Sequence, residues 1–274
     1  MKIIVELRIQ MPLSSSELEV GLRYTTVQAM YEEAGDGTGT EFVYNQAYNY
    51  PGSQQFPFRY RSGQYTYKIH KAGNRLPWWV RSFIGGQKAA LHEESWNSYP
   101  FFRTVFSMPD LLRDKFSGIL ETLVVEDDRR GNYDNVFNLG ADDLEKRLLV
   151  DIDISEAMFD KTYNNDPTMF KSAKTGRGPL DKDWKEKTTP IISIYELLVV
   201  ELDIPESLVP DRAKAFMIRM AIKLTWKYYR KMFCSLDEWI DLTMEDTRKL
   251  EKECAERLPE EMNKKGKDDA TSFT

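Results

Sequence analysis

The stretch from residue 41 to residue 123 constrains the fold of this chain more than any other segment. It is rich in tyrosine, phenylalanine, threonine and valine, and glycines and prolines interrupt it. β-Branched and aromatic side chains pack well on a pleated surface, so strands are predicted at 41–48, 64–70, 95–107 and 116–125. Short strands that follow one another in this way indicate an antiparallel meander.

The N-terminal segment predicts one further strand and a helix. Val5, Leu7 and Ile9 alternate with charged and polar residues, a period-two pattern typical of a strand with one buried face. The pattern Ser14-x-x-Glu17 follows. It is a capping box, in which the two side chains satisfy backbone N–H groups at the start of a helix. The fold therefore opens with a strand and then a helix.

The C-terminal part predicts a strand at residues 191–202 and helices at about 210–233 and 236–258. Residues 263–274 are mostly charged or small and polar, a composition typical of a disordered tail. A first helix, a large antiparallel sheet and terminal helices make an α+β fold with helices packed on the sheet. We predict a single domain over residues 1–262.

Composition excludes several function classes. The 274 residues carry a formal net charge of −6, whereas a nucleic-acid surface needs a dominant basic face, so no nucleic-acid partner is expected. Cys234 and Cys254 are too few for a disulfide framework. The first ten residues alternate apolar and charged side chains and lack the apolar h-region of a secretion signal, and the longest apolar run, 191–202, is too short and too charged for a membrane span. We expect a cytoplasmic protein that meets membranes only peripherally.

The sequence carries no motif for catalysis. His70 and His92 belong to no metal-ligand or Cys/His pattern, and no P-loop or dinucleotide-binding glycine motif is present. We therefore expect no catalytic residue, no metal site and no cofactor. The alternative is a hydrolase with an apolar cavity, which turnover of a bound lipid would reveal.

Four strings occur in order along the chain: GQYTYKI at 63–69, ESWNSYP at 94–100, KTGRGPL at 174–180 and DLTM at 241–244. Together, and by their spacing, they resemble the phosphatidylinositol transfer protein family. The resemblance implies a START-like fold, in which a curved antiparallel sheet and long helices enclose one phospholipid. It also implies a function, the transfer of phosphatidylinositol, exchangeable for phosphatidylcholine, between membranes.

The resemblance assigns the lipid head group to Thr66, Lys68, Asn97 and Glu251. Strand alternation independently places Thr66 and Lys68 on one face. An inositol ring presents hydroxyls that donate and accept, so its site needs a mixture of donors and acceptors. The alternatives are a solvated strand face for Thr66 and Lys68, an exposed helix charge for Glu251, and backbone hydrogen bonding for Asn97.

The lipid phosphate is where this chain departs from the family pattern. Thr104 and Thr122 match phosphate-contact positions, but Leu22 replaces a glutamine and Glu196 replaces a lysine. An acidic side chain facing a buried phosphate repels it unless the acid is protonated or turned away. Arg23 is the candidate for the missing positive charge.

These departures keep a second function open. The alternative is a lipid-gated sensor or presentation module that binds phosphatidic acid or phosphatidylcholine rather than carrying phosphatidylinositol. Phe102 stands where the family often has cysteine, and an aromatic ring there can either crowd a choline group or offer it a cation–π face. The sequence does not decide between these effects.

The segment Leu76 to Gly86 matches the lipid-exchange loop of the family. Its apolar residues end in a glycine pair, and tryptophan favours the interface between water and acyl chains. We assign membrane docking and exchange to the aromatic residues and the glycines of this flap: Trp78, Trp79, Phe83, Gly85 and Gly86. The alternative for one of the tryptophans is a place in the core.

The last predictions concern partners and modification. The expected partners are a phospholipid and, transiently, a membrane surface, and the protein is expected to be a monomer because its exchange opening has to meet a membrane. The basic context of Lys171 and Lys174 makes Ser172 a candidate phosphorylation site.

Overall fold

The structure is a computed structural model that describes residues 1–35, 38–50, 62–71, 90–126, 128–159, 164–203, 205, 209 and 211–264. The described strands are β1 Lys2–Met11, β2 Gly39–Asn49, β3 Ser62–Lys71, β4 Ala90–Ser98, β5 Phe101–Met108, β6 Arg113–Glu126, β7 Leu148–Ile152 and β8 Ile192–Leu202. The described helices are α1 Ser15–Glu33, α2 Ala141–Lys146, α3 Trp184–Lys187, α4 Asp211–Cys234, α5 Leu236–Trp239 and α6 Met244–Asn263.

The eight strands form one sheet in the order β2-β3-β4-β5-β6-β8-β1-β7. Strands β2 to β5 pair antiparallel with their sequence neighbours, so the α+β class and the predicted meander are confirmed. Strand β7 pairs parallel with β1 at the end of the sheet, an arrangement that the sequence did not predict. Among the described residues, no helix is both long and apolar enough to cross a membrane.

The predicted strand at 95–107 is wrong, because it is two strands. Strand β4 ends at Ser98 and β5 begins at Phe101, with a turn at Tyr99 and Pro100 between them. Proline has no N–H group for a strand ladder, so it belongs in the turn.

The predicted helix at 236–258 is also broken into two pieces. Helix α5 ends at Trp239 and α6 begins at Met244. The new start is a second capping box: the Thr243 N–H donates to Asp246 at 2.9 Å, and the Asp246 N–H donates to the Thr243 hydroxyl at 3.1 Å. Reciprocal capping at this point favours a fresh helix start over a continuous helix.

Contacts divide the chain into two compact units. The first unit comprises Met1–Thr25, Glu121–Val199 and Ile204–Thr247. The second comprises Thr26–Leu120, Val200–Asp203 and Arg248–Thr274. The number of domains and the disordered tail stay predictions, and residues 265–274 lie outside the described residues.

In the first unit, the prediction that β1 has one buried face is wrong. Both of its faces are buried from Ile3 onwards. Glu6 lies fully buried between two cations, accepting from Arg8 Nε at 2.7 Å and from Arg147 at 2.5 Å. The alternation correctly predicted a strand, but the charged residues in it pair with other charged side chains instead of facing water.

The predicted capping box of α1 is confirmed in the same unit. The Ser14 N–H donates to the Glu17 carboxylate at 2.7 Å, and the Glu17 N–H donates to the Ser14 hydroxyl at 3.3 Å. Arg177, from the KTGRGPL string, grips the same carboxylate with bonds of 3.0 and 2.8 Å. Next to it, Gly178 has φ +82°, and a Cβ there would lie 2.3 Å from the Phe170 carbonyl oxygen.

In the second unit, α1 and α6 contribute to one apolar core. Its buried members are Val27, Met30, Cys254 and Leu258. Phe42 of β2 packs against this core. The core therefore joins helix residues to the face of β2 from which Phe42 projects.

Candidate functional site

A row of polar side chains crosses one face of strands β2 to β5 in the second unit. Alternation along β3 places Thr66, Lys68 and His70 on that face. The register sets Lys68 opposite Glu93 and Thr66 opposite Ser95. Side chains directly opposite each other on one sheet face are close enough to interact.

Glu93 is the centre of this row. Its Oε1 accepts from Lys68 Nζ at 2.9 Å and from the Ser95 hydroxyl at 3.0 Å, and its Oε2 lies 2.6 Å from His70 Nε2. Burial opposes its ionisation, but the Lys68 ammonium and the His70 imidazole outweigh that effect and hold the Glu93 pKa well below its usual range. Glu93 is therefore a carboxylate at neutral pH.

Further hydroxyls extend the row at both ends. The Thr40 hydroxyl lies 2.9 Å from His70 Nδ1, and the Ser95 hydroxyl lies 2.9 Å from that of Thr104. We call the set the Glu93 cluster: Thr40, Thr66, Lys68, His70, Glu93, Ser95 and Thr104.

Thr66 is the member of the cluster that lacks an internal partner. It is 6% exposed, and among the described residues its hydroxyl has no hydrogen-bond partner. A buried hydroxyl left in this state costs about 1–3 kcal/mol, which favours a bound ligand as its missing partner.

Glu251 lies on the inward side of α6. It precedes Cys254 by three residues and Leu258 by seven, so all of them share one helix face. Burial raises the pKa of the Cys254 thiol to about 11, and the charges of Glu251 and Lys68 both act on that thiol. Phe42 also connects Lys68 to the apolar core that contains Cys254. Its ring centre lies 5.8 Å from Lys68 Nζ, and the ring packs on that core. Glu251 is therefore not an ordinary exposed helix charge.

Asn97 shares a strand face with Glu93 and Ser95, because these residues alternate along β4. It lies opposite Gln64 and is half-buried. A Cβ at Gly63 would lie only 2.0 Å from the Asn97 carbonyl oxygen. The GQYTYKI string thus needs its glycine for the close approach of β3 and β4.

The first unit holds a second buried acid, Glu196 of β8. It is 9% exposed and accepts from the Tyr229 hydroxyl at 2.8 Å and from the Thr225 hydroxyl at 3.3 Å. Burial raises its pKa, and these hydroxyl bonds offset only part of the rise. We call Glu196, Thr225 and Tyr229 the Glu196 cluster.

Leu22, the other departure from the family pattern, lies beside this cluster. Its carbonyl oxygen accepts from the Tyr228 hydroxyl at 2.7 Å, and the rings of Tyr228 and Tyr229 are in edge contact at 5.4 Å. Adjacent tyrosines of α4 therefore link Leu22 to Glu196.

The other two residues expected near the phosphate are less distinctive in position. Arg23 acts on Glu19, whose pKa burial raises and the Arg23 charge lowers. Thr122 is half-buried on β6 in the first unit. Their proposed roles stay predictions.

Ser172 is an enclosed side chain rather than an exposed one. It is 1% exposed, donates to Asp237, and accepts from the Thr175 N–H at 2.9 Å. Phosphorylation would have to break these bonds.

The predicted docking residues Trp78, Trp79, Phe83, Gly85 and Gly86 lie outside the described residues.

The sequence did not predict a role in the site for Glu93, Ser95, His70 and Thr40. Period-two alternation through Glu93, Ser95 and Asn97 was the available signal, but only cross-strand register shows that Glu93 meets Lys68.

Within the described ranges, no group of three or more His, Cys, Asp or Glu residues could hold a metal ion.

Comparison with known proteins gives a consistent answer. A family model described as phosphatidylinositol transfer protein matches residues 2–256. Phosphatidylinositol transfer protein 1 of Dictyostelium discoideum is 33% identical over 273 residues, which cover 98% of each chain. The beta isoform of Bos taurus is 32% identical over 281 residues, covering 99% of this chain and 98% of the relative. Membrane-associated phosphatidylinositol transfer protein 1 of Mus musculus is 34% identical over 271 residues, which span 96% of this chain but 21% of that relative.

Proposed function

Because the chain belongs to the phosphatidylinositol transfer protein family, we propose that it binds one phosphatidylinositol molecule and moves it between membranes, with phosphatidylcholine as an exchangeable cargo. Family membership supports phospholipid binding as such. The choice of head group is our inference from the Glu93 cluster.

The unpartnered hydroxyl of Thr66 is the observation that carries this choice. It lies opposite Ser95 and one alternation step from Lys68, which is the cation of the cluster. A polyol ring needs hydroxyls, a cationic donor and carboxylate acceptors, because each ring hydroxyl both donates and accepts. Thr66, Lys68, Glu93 and Glu251 supply these groups, and we propose Asn97 as a further contact.

The same chemistry disfavours a phosphate group on the inositol ring at the Glu93 cluster. Glu93 and Glu251 are acidic, and the charge of Lys68 is already shared with Glu93. A phosphate monoester would meet like charges at short distance. We therefore propose an unphosphorylated inositol as the preferred head group.

Transfer needs a protein because the acyl chains are insoluble. A diacyl lipid carries about thirty methylenes, and at about 0.8 kcal/mol each their exposure to water costs on the order of 25 kcal/mol. We propose that an enclosed apolar cavity removes this cost, and that the protein acts as a cytoplasmic monomer touching membranes transiently. Opening is assigned to the flap that contains Trp78 and Trp79.

We assign the chain no catalytic role. Thr40, His70 and Glu93 follow the hydroxyl, imidazole and carboxylate order of a catalytic triad. Thr40 is 1% exposed, however, and therefore poorly placed to attack a substrate. Hydrolysis of the bound lipid during storage, detected by mass spectrometry, would contradict this assignment.

Native mass spectrometry of the purified protein tests the cargo. Phosphatidylinositol as the main bound lipid is the expected result, and phosphatidic acid or phosphatidylcholine alone would contradict the head-group proposal. A vesicle assay then separates carrier from sensor, because a sensor binds labelled phosphatidylinositol without transferring it.

Membrane docking is tested by a double substitution, Trp78→Ala with Trp79→Ala. Loss of two interfacial anchors should slow vesicle-to-vesicle transfer about tenfold and leave a preloaded lipid bound. Trp184→Ala would be a poor control because Trp184 is 2% exposed, so Tyr133→Ala, at an exposed aromatic residue, is preferred. Equal transfer by the double variant and the wild type would remove the docking role.

A further inference from the structure

His70 links Glu93 of β4 to Thr40 of β2. Its Nε2 lies 2.6 Å from Glu93 Oε2, and its Nδ1 lies 2.9 Å from the Thr40 hydroxyl. Glu93 is ionised and can only accept, so Nε2 must carry a hydrogen. Nδ1 then accepts from Thr40 in the neutral imidazole and donates to it in the imidazolium. Both protonation states of His70 fit the same geometry.

The two oxygens of Glu93 have different partners. Oε1 receives Lys68 and Ser95, whereas Oε2, among the described residues, receives His70 alone. His70 therefore fixes the rotation of the carboxylate about its axis. This rotation decides whether Oε1 stays on the Lys68 side, where it holds the ammonium on the strand face that also carries Thr66.

Ion pairs place the charged neighbours of His70 on two elements. Lys68 of β3 and His70 both meet Glu93 of β4, at 2.9 and 2.6 Å. Lys71 follows His70 on β3 but pairs with Glu41 of β2 at 2.7 Å.

We infer that His70 is a positioning residue of the head-group site, which holds Glu93 and thereby Lys68 in the geometry that a polyol requires. The inference rests on the proposed function. Without the His70 bond, the Glu93 carboxylate can rotate away from Lys68. The ammonium is then no longer held in place for oxygens of the ligand, so phosphatidylinositol loading should fall.

The test compares His70→Phe with His70→Gln in the full-length chain. Phenylalanine removes the donor to Glu93, whereas the glutamine amide can still donate to Glu93. Each protein is offered vesicles that contain both phosphatidylinositol and phosphatidylcholine, and both loaded lipids are quantified. Phosphatidylcholine loading reports damage that is not specific to the inositol head group.

We expect His70→Phe to lower the ratio of phosphatidylinositol to phosphatidylcholine about fivefold to tenfold, the effect of one charge-assisted hydrogen bond. His70→Gln should recover most of this loss, because its amide still donates to Glu93. A wild-type ratio in His70→Phe, or a ratio in His70→Gln as low as that of His70→Phe, would overturn the inference. If His70→Phe does not fold, Thr40→Val removes the outer bond of His70 and should also lower the ratio, and an unchanged ratio counts against the inference.

Lys68→Ala in the same assay keeps the two proposals apart. If Lys68→Ala lowers phosphatidylinositol loading and His70→Phe does not, only the role of His70 fails. If Lys68→Ala also leaves loading unchanged, the head-group site itself is wrong.

Discussion

Glu93 in the second unit and Glu196 in the first are both buried acids on a strand, yet their pKa values are shifted in opposite directions. Glu93 bonds an ammonium, an imidazole and a hydroxyl. Glu196, within the described part of the chain, bonds only the hydroxyls of Tyr229 and Thr225. Burial raises the pKa of each, but only at Glu93 do cations reverse the effect. The charge of a buried acid is thus set by its partners rather than by its depth.

The two acids should make stability depend on pH in opposite directions. Glu93 has a folded-state pKa below its ordinary 4.5, so its stabilising contribution is present above that pH and is lost as the pH falls toward the folded value. Glu196 has a folded-state pKa above 4.5, so its contribution is present below pH 4.5 and is lost as the pH rises through the folded value.

Lys68→Met should have the largest effect on this comparison. It leaves the Glu93 carboxylate buried without its ammonium, and breaking a buried pair costs about 3 kcal/mol or more of unfolding free energy. Urea unfolding at pH 7 measures the loss. Lys71→Met is the matched control, since Lys71 is 45% exposed and pairs with an exposed Glu41, so a change of about 0.5 kcal/mol or less is expected. Similar losses in both variants would mean that Glu93 does not depend on Lys68.

Glu196→Gln should have a smaller effect that depends on pH. The amide keeps a hydrogen-bonding group in place but cannot ionise, so the variant should be about 1 kcal/mol more stable than the wild type at pH 8 and about equal at pH 4.5. Thermal unfolding across this range measures the difference. Glu93→Gln is the matched variant, and it should lose stability at pH 8 and approach the wild type in acid. Parallel profiles for the two variants would contradict the comparison.

The smallest effects should come from the two threonines beside the acids. Thr66→Val removes a hydroxyl without a partner, so the empty protein should gain about 0.5–1 kcal/mol while phosphatidylinositol loading falls about fivefold. Thr225→Val removes a donor to Glu196 and should lose about 0.5–1 kcal/mol. Unfolding of lipid-free protein and vesicle loading check both changes. A loss of stability in Thr66→Val would show that its hydroxyl is satisfied within the protein.

Local pattern predicted the parts of the site that lie on one strand or one helix. Alternation placed Thr66 and Lys68 together, and the capping box at Ser14 located the start of α1. The partner of Lys68 could not be predicted in this way, because register between strands depends on turns and on packing that lie elsewhere in the chain. Glu6 shows the same limit, since its burial depends on Arg147, far away in sequence.

The two departures from the family pattern were visible in the sequence, but their meaning was not. A glutamate at position 196 reads as a negative charge until Tyr229 and Thr225 are seen around it. Burial then favours the neutral acid. Repulsion of a nearby phosphate would be correspondingly weaker than the formal charge suggests.

The ion pair between Arg177 and Glu17 bears on how members of this family are recognised from their sequences. Burial raises the pKa of Glu17, but Arg177 and Ser14 outweigh it and keep the acid ionised. In this structure Arg177 stabilises the start of α1, and Gly178 allows a close backbone approach. A string of this kind can identify the architecture in a relative that has exchanged its ligand. Such a string therefore indicates shared ancestry and fold rather than the ligand that is bound.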